Sequence, residues 1–116
     1  MPSPARIRST LAALASAPEE VRELRSFYRA LADTTRLRLV HRLAAGTATV
    51  TELTEHVDLS QPLVSWHLRT LRAAGLIETR RSGREVICSL SREGVRGYLA
   101  RERRFLASGE DVGAAG

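Results

Sequence analysis

Apolar residues recur at helical spacing along most of this chain. Between Pro18 and Ala32, the side chains of Val21, Leu24, Phe27, Tyr28 and Leu31 fall on one face, and Glu19 and Glu20 occupy the first turn, where carboxylates oppose the helix dipole. Asp33 then stands as N-cap of a second helix, Thr34 to Ala45, with Leu39, Val40 and Leu43 inward and Gly46 as its stop. The stretch Thr47 to Thr51 is β-prone, and Glu52 to Val57 reads as a short helix with Leu53 and Val57 four apart. Asp58 to Pro62 interrupts it. Ser60 is placed to cap the next helix, Gln61 to Ala74, which tolerates Pro62 in its first turn and ends at Gly75.

Beyond Gly75 the period changes from helical to alternating. LIETRRSGREVICSL reads as two strands around Arg81-Ser82-Gly83-Arg84, with Val86, Cys88 and Leu90 on the half-buried side. A last helix, Arg92 to Ala107, carries Val95, Tyr98, Leu99, Phe105 and Leu106 on one side despite Gly94 and Gly97, and SGEDVGAAG reads as frayed. At the other end Ile7, Leu11 and Leu14 suggest a short amphipathic helix stopped by Pro18. Arg6 and Arg8 before LAALASA give it a passing likeness to a secretory signal, but the apolar run is too short and alanine-rich. The expected division is an N-terminal extension over 1–17, a folded domain over 18–107 and a flexible tail over 108–116. The fold class is mostly α with a small β-hairpin, in the order α-α-β-α-α-β-β-α, with an extra N-terminal helix.

Composition narrows the partners more than the fold. At 116 residues the chain fits one domain, and 43% hydrophobic with 27% charged residues is a globular balance. All 18 cations are arginine, and the net charge is +5. An arginine-only basic protein suits an anionic polymer, although GC-rich coding produces the same absence of lysine. Cys88 is the only cysteine, which excludes an intrachain disulfide framework and a four-thiolate zinc site and fits a reducing cytoplasm. No window approaches the roughly 18 apolar residues of a membrane span, so no membrane partner is expected.

Two short helices around a tight turn, followed by a β wing, form a nucleic-acid-reading arrangement. Wound at about 100° per residue, Gln61 to Ala74 places Val64, His67, Leu68 and Leu71 on one side and Gln61, Ser65, Arg69 and Arg72 on the other. Gln61 and Ser65 lie in the half of such a helix that meets base edges, while Arg69 and Arg72 suit phosphates. Trp66 stands at the margin, placed either for apolar contact with a thymine methyl or sugar or for ordinary half-buried packing. His67, on the apolar side, reads as a packing histidine. From Ser60 to Arg92 six arginines, Arg69, Arg72, Arg80, Arg81, Arg84 and Arg92, face only Glu78 and Glu85, which places +4 of the total +5 on this segment. A solvated helix face is the bland reading of Arg69 and Arg72, but the charge sum favours a phosphate-tracking surface.

The segments ALADTTRLRLVHRLAAG, TVTELTEHVDLSQPLVSWHLRTLRAAGLI and TRRSGREVICSL together resemble the ArsR/SmtB family of bacterial winged-helix repressors, over roughly Phe27 to Leu90. The most specific part is the pattern SQPxVSxHLxxLxxAGL. The resemblance implies a homodimeric regulator that binds a double-stranded DNA operator and leaves it when a signal binds. It also implies that Gln61, Pro62, Ser65 and Trp66 approach DNA, with Trp66 a departure from the family's smaller or polar choice. The first and last helices form the interface in that family, which here would involve Leu24, Phe27, Tyr28, Tyr98, Leu99 and Leu106, with Glu102 pairing an arginine or reaching the rim.

The family's metal chemistry does not carry over residue by residue. Glu52 to Val57 lacks the cysteine pair of the thiolate sensors, and the last helix has no histidine for the interhelical site. His41, His56, His67 and Cys88 fall on four elements with no i, i+4 pair, so neither a metal nor a cofactor is expected and the inducer is unidentified. A non-standard metal or thiol site across a dimer is a lesser alternative. No nucleophile–base pair, glycine-rich phosphate loop or paired-carboxylate motif supports an enzyme. The main rival is a winged-helix module that binds another protein.

Overall fold

Two helices meet with only Ala32 and Asp33 between them. α1 (Glu19–Leu31) stops and α2 (Thr34–Ala44) starts because Asp33 adopts an extended backbone and its carboxylate accepts the Arg36 N–H at 3.0 Å, the expected N-cap. This computed structural model describes the backbone of residues 3–5 and 19–115, with side chains as far as Ser108. The helix expected around Ile7, Leu11 and Leu14, with its stop at Pro18, lies outside the described residues. After α2 come β1 (Ala48–Thr49), α3 (Val50–Val57), α4 (Gln61–Ala73), β2 (Ile77–Ser82), β3 (Glu85–Leu90) and α5 (Arg92–Ala115).

Several boundaries differ from the periodicity, each for a local reason. α3 begins at Val50 rather than Glu52, because Thr49 Oγ1 accepts the Glu52 N–H at 3.1 Å while the Glu52 carboxylate accepts the Thr49 N–H, a reciprocal capping box. The β-prone stretch therefore shrinks to Ala48–Thr49. It still pairs with β3, Ala48 opposite Cys88, so the sheet has three strands in the order β1-β3-β2 rather than forming an isolated hairpin. Ser60 holds the N-cap backbone position of α4 but makes no side-chain bond there. α5 does not stop at Ala107: with no proline to break its ladder, it continues to Ala115 through the segment expected to fray.

The exit from α4 aims the wing. Gly75 takes φ +77°, the Leu76 N–H reaches back to Leu71 O and the Gly75 N–H to Arg72 O, the two bonds of a Schellman motif. Leu76 and Leu71 are both fully buried, which seals the turn and sends β2 away along the core. At the far end Ser82 pairs with Glu85, so the two-residue turn is Gly83-Arg84, one position later than the Ser82-Gly83 turn expected. Gly83 at φ +64°, followed by an arginine at negative φ, has the sign pattern of a type II′ hairpin turn. The core lies where α2, α3, α4 and β3 meet, around the fully buried Leu39, Leu53, Val64, Leu71 and Cys88.

α5 starts against that same α4–β2 joint. The Ser91 N–H donates to Leu76 O, the Gly94 N–H donates to Ser91 Oγ, and a Cβ at Gly94 would overlap the Gly75 carbonyl oxygen. Backbone cannot give way as a flexible side chain can. Gly94→Ala is therefore expected to destabilise the fold by about 1–3 kcal/mol. Gly97→Ala, whose new methyl meets only the Arg101 guanidinium at 4.0 Å, should be neutral or stabilising by up to about 1 kcal/mol. Urea unfolding of the two variants beside the parent measures the contrast.

Candidate nucleic-acid interface

The side of α4 turned away from the core carries the polar residues. Val64, His67, Leu68 and Leu71 are buried, whereas Gln61, Pro62, Arg69 and Arg72 are exposed, Ser65 is half-buried and Trp66 stands 53% exposed. Ser65, Arg69 and Arg72 border a shallow recess of about 160 Å³, whose other wall is Thr79 and Val86 of the wing. Strand register then divides the wing arginines. Arg81 lies opposite Val86 and alternates with Ile77 and Thr79, so it belongs to the wing face turned towards α4. Arg80 lies opposite Ile87 on the other face, and the structure does not bring it together with Arg69 and Arg72. Arg84 is at the exposed tip. Arg92 leaves the group altogether, since its guanidinium donates to Ala44 O at the end of α2.

The interhelical support of this surface is a residue that periodicity passed over. Arg36 falls on the inward stripe of α2, at i, i+3 and i+7 with Leu39 and Leu43, and its side chain is only 11% exposed. Its Nε donates to Ala30 O at 2.7 Å and its Nη2 to Arg29 O at 3.3 Å, at the end of α1. Its Nη1 lies 3.0 Å from His67 Nδ1 on α4, and the guanidinium stands over the Trp66 ring at 5.9 Å. A guanidinium has no acceptor lone pair, so His67 Nδ1 must accept, which assigns a neutral ring protonated at Nε2. His67 is thus a satisfied packing histidine. The signal that would have found Arg36 is a cation inside an apolar helical stripe.

Asp33 completes the junction. The Arg36 N–H bonded to its carboxylate holds its pKa below the ordinary carboxylate range against the desolvation that raises it, and the Arg36 guanidinium, 4.0 Å away, adds a lesser lowering.

The expected interface residues separate into two groups. Leu24 and Phe27 are buried within the protomer, and the half-buried Tyr98 stacks on Phe27 at 4.7 Å, so the Phe27–Tyr98 pair helps hold α5 to α1 in one chain. Tyr28, Leu99 and Leu106 remain exposed, as does Phe105, which lies outside the expected interface set. Glu102 accepts the Tyr28 hydroxyl at 2.5 Å rather than an arginine, and this bond pushes the phenol pKa up; the α1–α5 ion pair is Arg101 with Glu23, at 2.9 Å. Cys88 is fully buried, and burial raises its thiol pKa. Among the described residues no three His, Cys, Asp or Glu side chains gather as metal ligands, and no helix is long and apolar enough to cross a membrane.

Comparison with known proteins places this geometry in context. The profile described as "Bacterial regulatory protein, arsR family" matches residues 33–79. The probable mercury resistance operon repressor of Streptomyces lividans is 45% identical over 60 residues, 52% of this chain and 48% of the relative. The transcriptional repressor SdpR of Bacillus subtilis is 31% identical over 68 residues, 59% of this chain and 76% of the relative. Among solved structures, an ArsR-like transcriptional regulator from Rhodococcus sp. RHA1 superimposes with a TM-score of 0.74 at 26% identity, over 82% of this chain and 90% of that one. The chain spans about half the length of the first curated relatives it matches.

The lowered Asp33 pKa has a signed consequence. A carboxyl depressed on folding contributes stability that is present above its unfolded pKa and is lost as pH falls through its folded one. Asp33→Asn keeps an N-cap acceptor but removes the charge. The thermal midpoint of the parent should exceed that of Asp33→Asn near neutral pH, and the gap should close as pH drops through and below the usual carboxylate range; melting curves across a pH series check it.

Proposed function

The chain belongs to the ArsR family of bacterial regulatory proteins, and on that premise we propose that it is a homodimeric, sequence-specific DNA-binding transcriptional repressor acting in the cytoplasm. The observation that carries the reading is the outer side of α4, where Gln61, Ser65, Arg69 and Arg72 stand clear of the core beside an arginine-bearing wing. Such a helix fits the major groove, with amide and hydroxyl groups towards base edges and guanidinium groups towards phosphates. Gln61 and Ser65 read bases, Pro62 sets the helix start against the backbone, and the exposed Trp66 edge meets a thymine methyl or sugar. Arg69, Arg72, Arg81 and Arg84 anchor phosphates. Arg80, on the opposite wing face, is left out of the contact set.

The dimer rests on Tyr28, Leu99, Phe105 and Leu106, apolar groups of α1 and α5 that the protomer leaves uncovered. The releasing signal is assigned to a class other than the family's usual metals. His41, His56 and His67 stand on separate helices, and the one thiol is sealed in the core.

Base reading and anchoring answer differently to substitution. Gln61→Ala should lose about 1–3 kcal/mol of discrimination between operator and scrambled DNA. Arg81→Ala or Arg84→Ala should weaken both complexes alike and reduce the salt slope by about two units per dimer, roughly one for each lost contact. Mobility shifts over a salt series, using DNA from upstream of the gene, measure all three, and an unaltered slope in both arginine variants with unchanged specificity in Gln61→Ala would favour a protein-binding module instead. Leu106→Glu should convert the dimer to a folded monomer in size exclusion with light scattering, with unchanged circular dichroism. A parent protein that is monomeric at micromolar concentration would remove the dimer.

A further inference from the structure

Arg22, Arg25 and Arg29 recur at i, i+3 and i+7 along α1, on the side away from Leu24 and Phe27. They form one wall of a groove of about 620 Å³ between α1 and α4. Trp66 and Thr70 of α4 form the facing wall, Arg36 is also in the lining, and among the described residues none of the lining side chains is acidic. The volume lies within the roughly 300–1,000 Å³ usual for small-molecule sites.

We propose that this groove binds a small organic anion with a flat apolar body, and that its occupation lowers the affinity for DNA; the second half rests on the DNA-binding reading above. The guanidinium groups of Arg25 and Arg29 present planar donor forks suited to a carboxylate or phosphate. Arg36 gives three of its five N–H groups to Ala30 O, Arg29 O and His67 and stands 4.0 Å from the Asp33 carboxylate, so Arg25 and Arg29 are the principal anion donors and Arg36 adds positive charge to the lining. The half-exposed indole of Trp66 offers a flat wall, and the small side chains of Ala30, Ala73 and Ala74 leave room for a ring beside it.

The groove is an open one between two helices, and its Trp66, Thr70 and Ala73 wall is turned about 100° round α4 from the Gln61 and Arg69 side, so a duplex seated on that side does not fill it. An anion seated there places negative charge beside the helix that must approach phosphates, well within a Debye length of roughly 8 Å. It also engages Arg36, the side chain that ties α1 to α4.

Trp66 is the only tryptophan, so its fluorescence reports on the groove without a label. The full chain is titrated at constant ionic strength with benzoate, with benzyl alcohol as the neutral ring and acetate as the ringless anion. Benzoate should give a saturable change that the other two do not. The Arg25→Ala, Arg29→Ala double variant should weaken it at least about tenfold, and the double lysine variant, which keeps the charge, should recover part of the response. In mobility shifts benzoate should release the parent from its upstream DNA at concentrations that leave the double alanine variant bound.

The site is overturned by no saturable response, by an equal response to benzyl alcohol, or by a response indifferent to loss of both arginines. A double alanine variant with reduced DNA affinity and salt slope, beside a parent blind to benzoate, would assign the groove to duplex phosphates and overturn it as well. Benzoate binding without release overturns the coupling. A fluorescence response in a parent that binds no DNA supports the site and overturns only the DNA reading.

Discussion

A guanidinium held at 11% side-chain exposure must find partners for its donors, because an unpaired buried charge costs several kcal/mol. Arg36 finds them on two other helices. It caps the negative end of α1 through the carbonyls of Arg29 and Ala30, and it holds His67 of α4, while its own helix starts three residues earlier at the Asp33 cap. With each charge-assisted bond worth about 1.5–3 kcal/mol, one side chain locks the end of α1, the start of α2 and the middle of α4 together. The Leu39, Leu53, Val64 and Leu71 core supplies cohesion, and Arg36 supplies orientation.

Two sets of arginines among the described residues therefore do different work. Arg36, Arg38, Arg42 and Arg92 donate to main-chain carbonyls and act as joints between elements. Arg69, Arg72, Arg81 and Arg84 stand exposed around the face that α4 shares with the wing. A count of charge along the chain cannot separate them: Arg92 adds to the basic sum while closing α2, and Arg80 lies on the far side of the wing.

Much of the architecture was legible because it is local. Helical spacing and caps placed α1, α2 and α4, and alternation placed the wing. The Thr49–Glu52 capping box was legible too, as T-x-x-E, but the β-propensity of Thr47 to Thr51 masked it. Other features depend on residues far apart in the chain. A stripe of Leu24, Phe27, Tyr28 and Leu31 says which way α1 faces, not whether its own chain or another covers it; here Tyr98 of α5 stacks on Phe27 and Tyr28 is left at the edge. The groove beneath Trp66 needs α1 and α4 side by side, a juxtaposition that no periodicity encodes.

The two-residue joint between α1 and α2 also has a mechanical meaning. A longer linker would act as a hinge and let α4 swing independently of α1. With Ala32 and Asp33 alone between the helices, and Arg36 pinned across them, each protomer of the proposed dimer would act as a stiff lever whose fulcrum lies near the partner contact. In a two-fold assembly the span between the two reading heads is then a fixed gauge, to be matched against a DNA repeat of roughly 34 Å. A tilt of a few degrees at the fulcrum is magnified along the lever and throws both heads out of step with the groove at once.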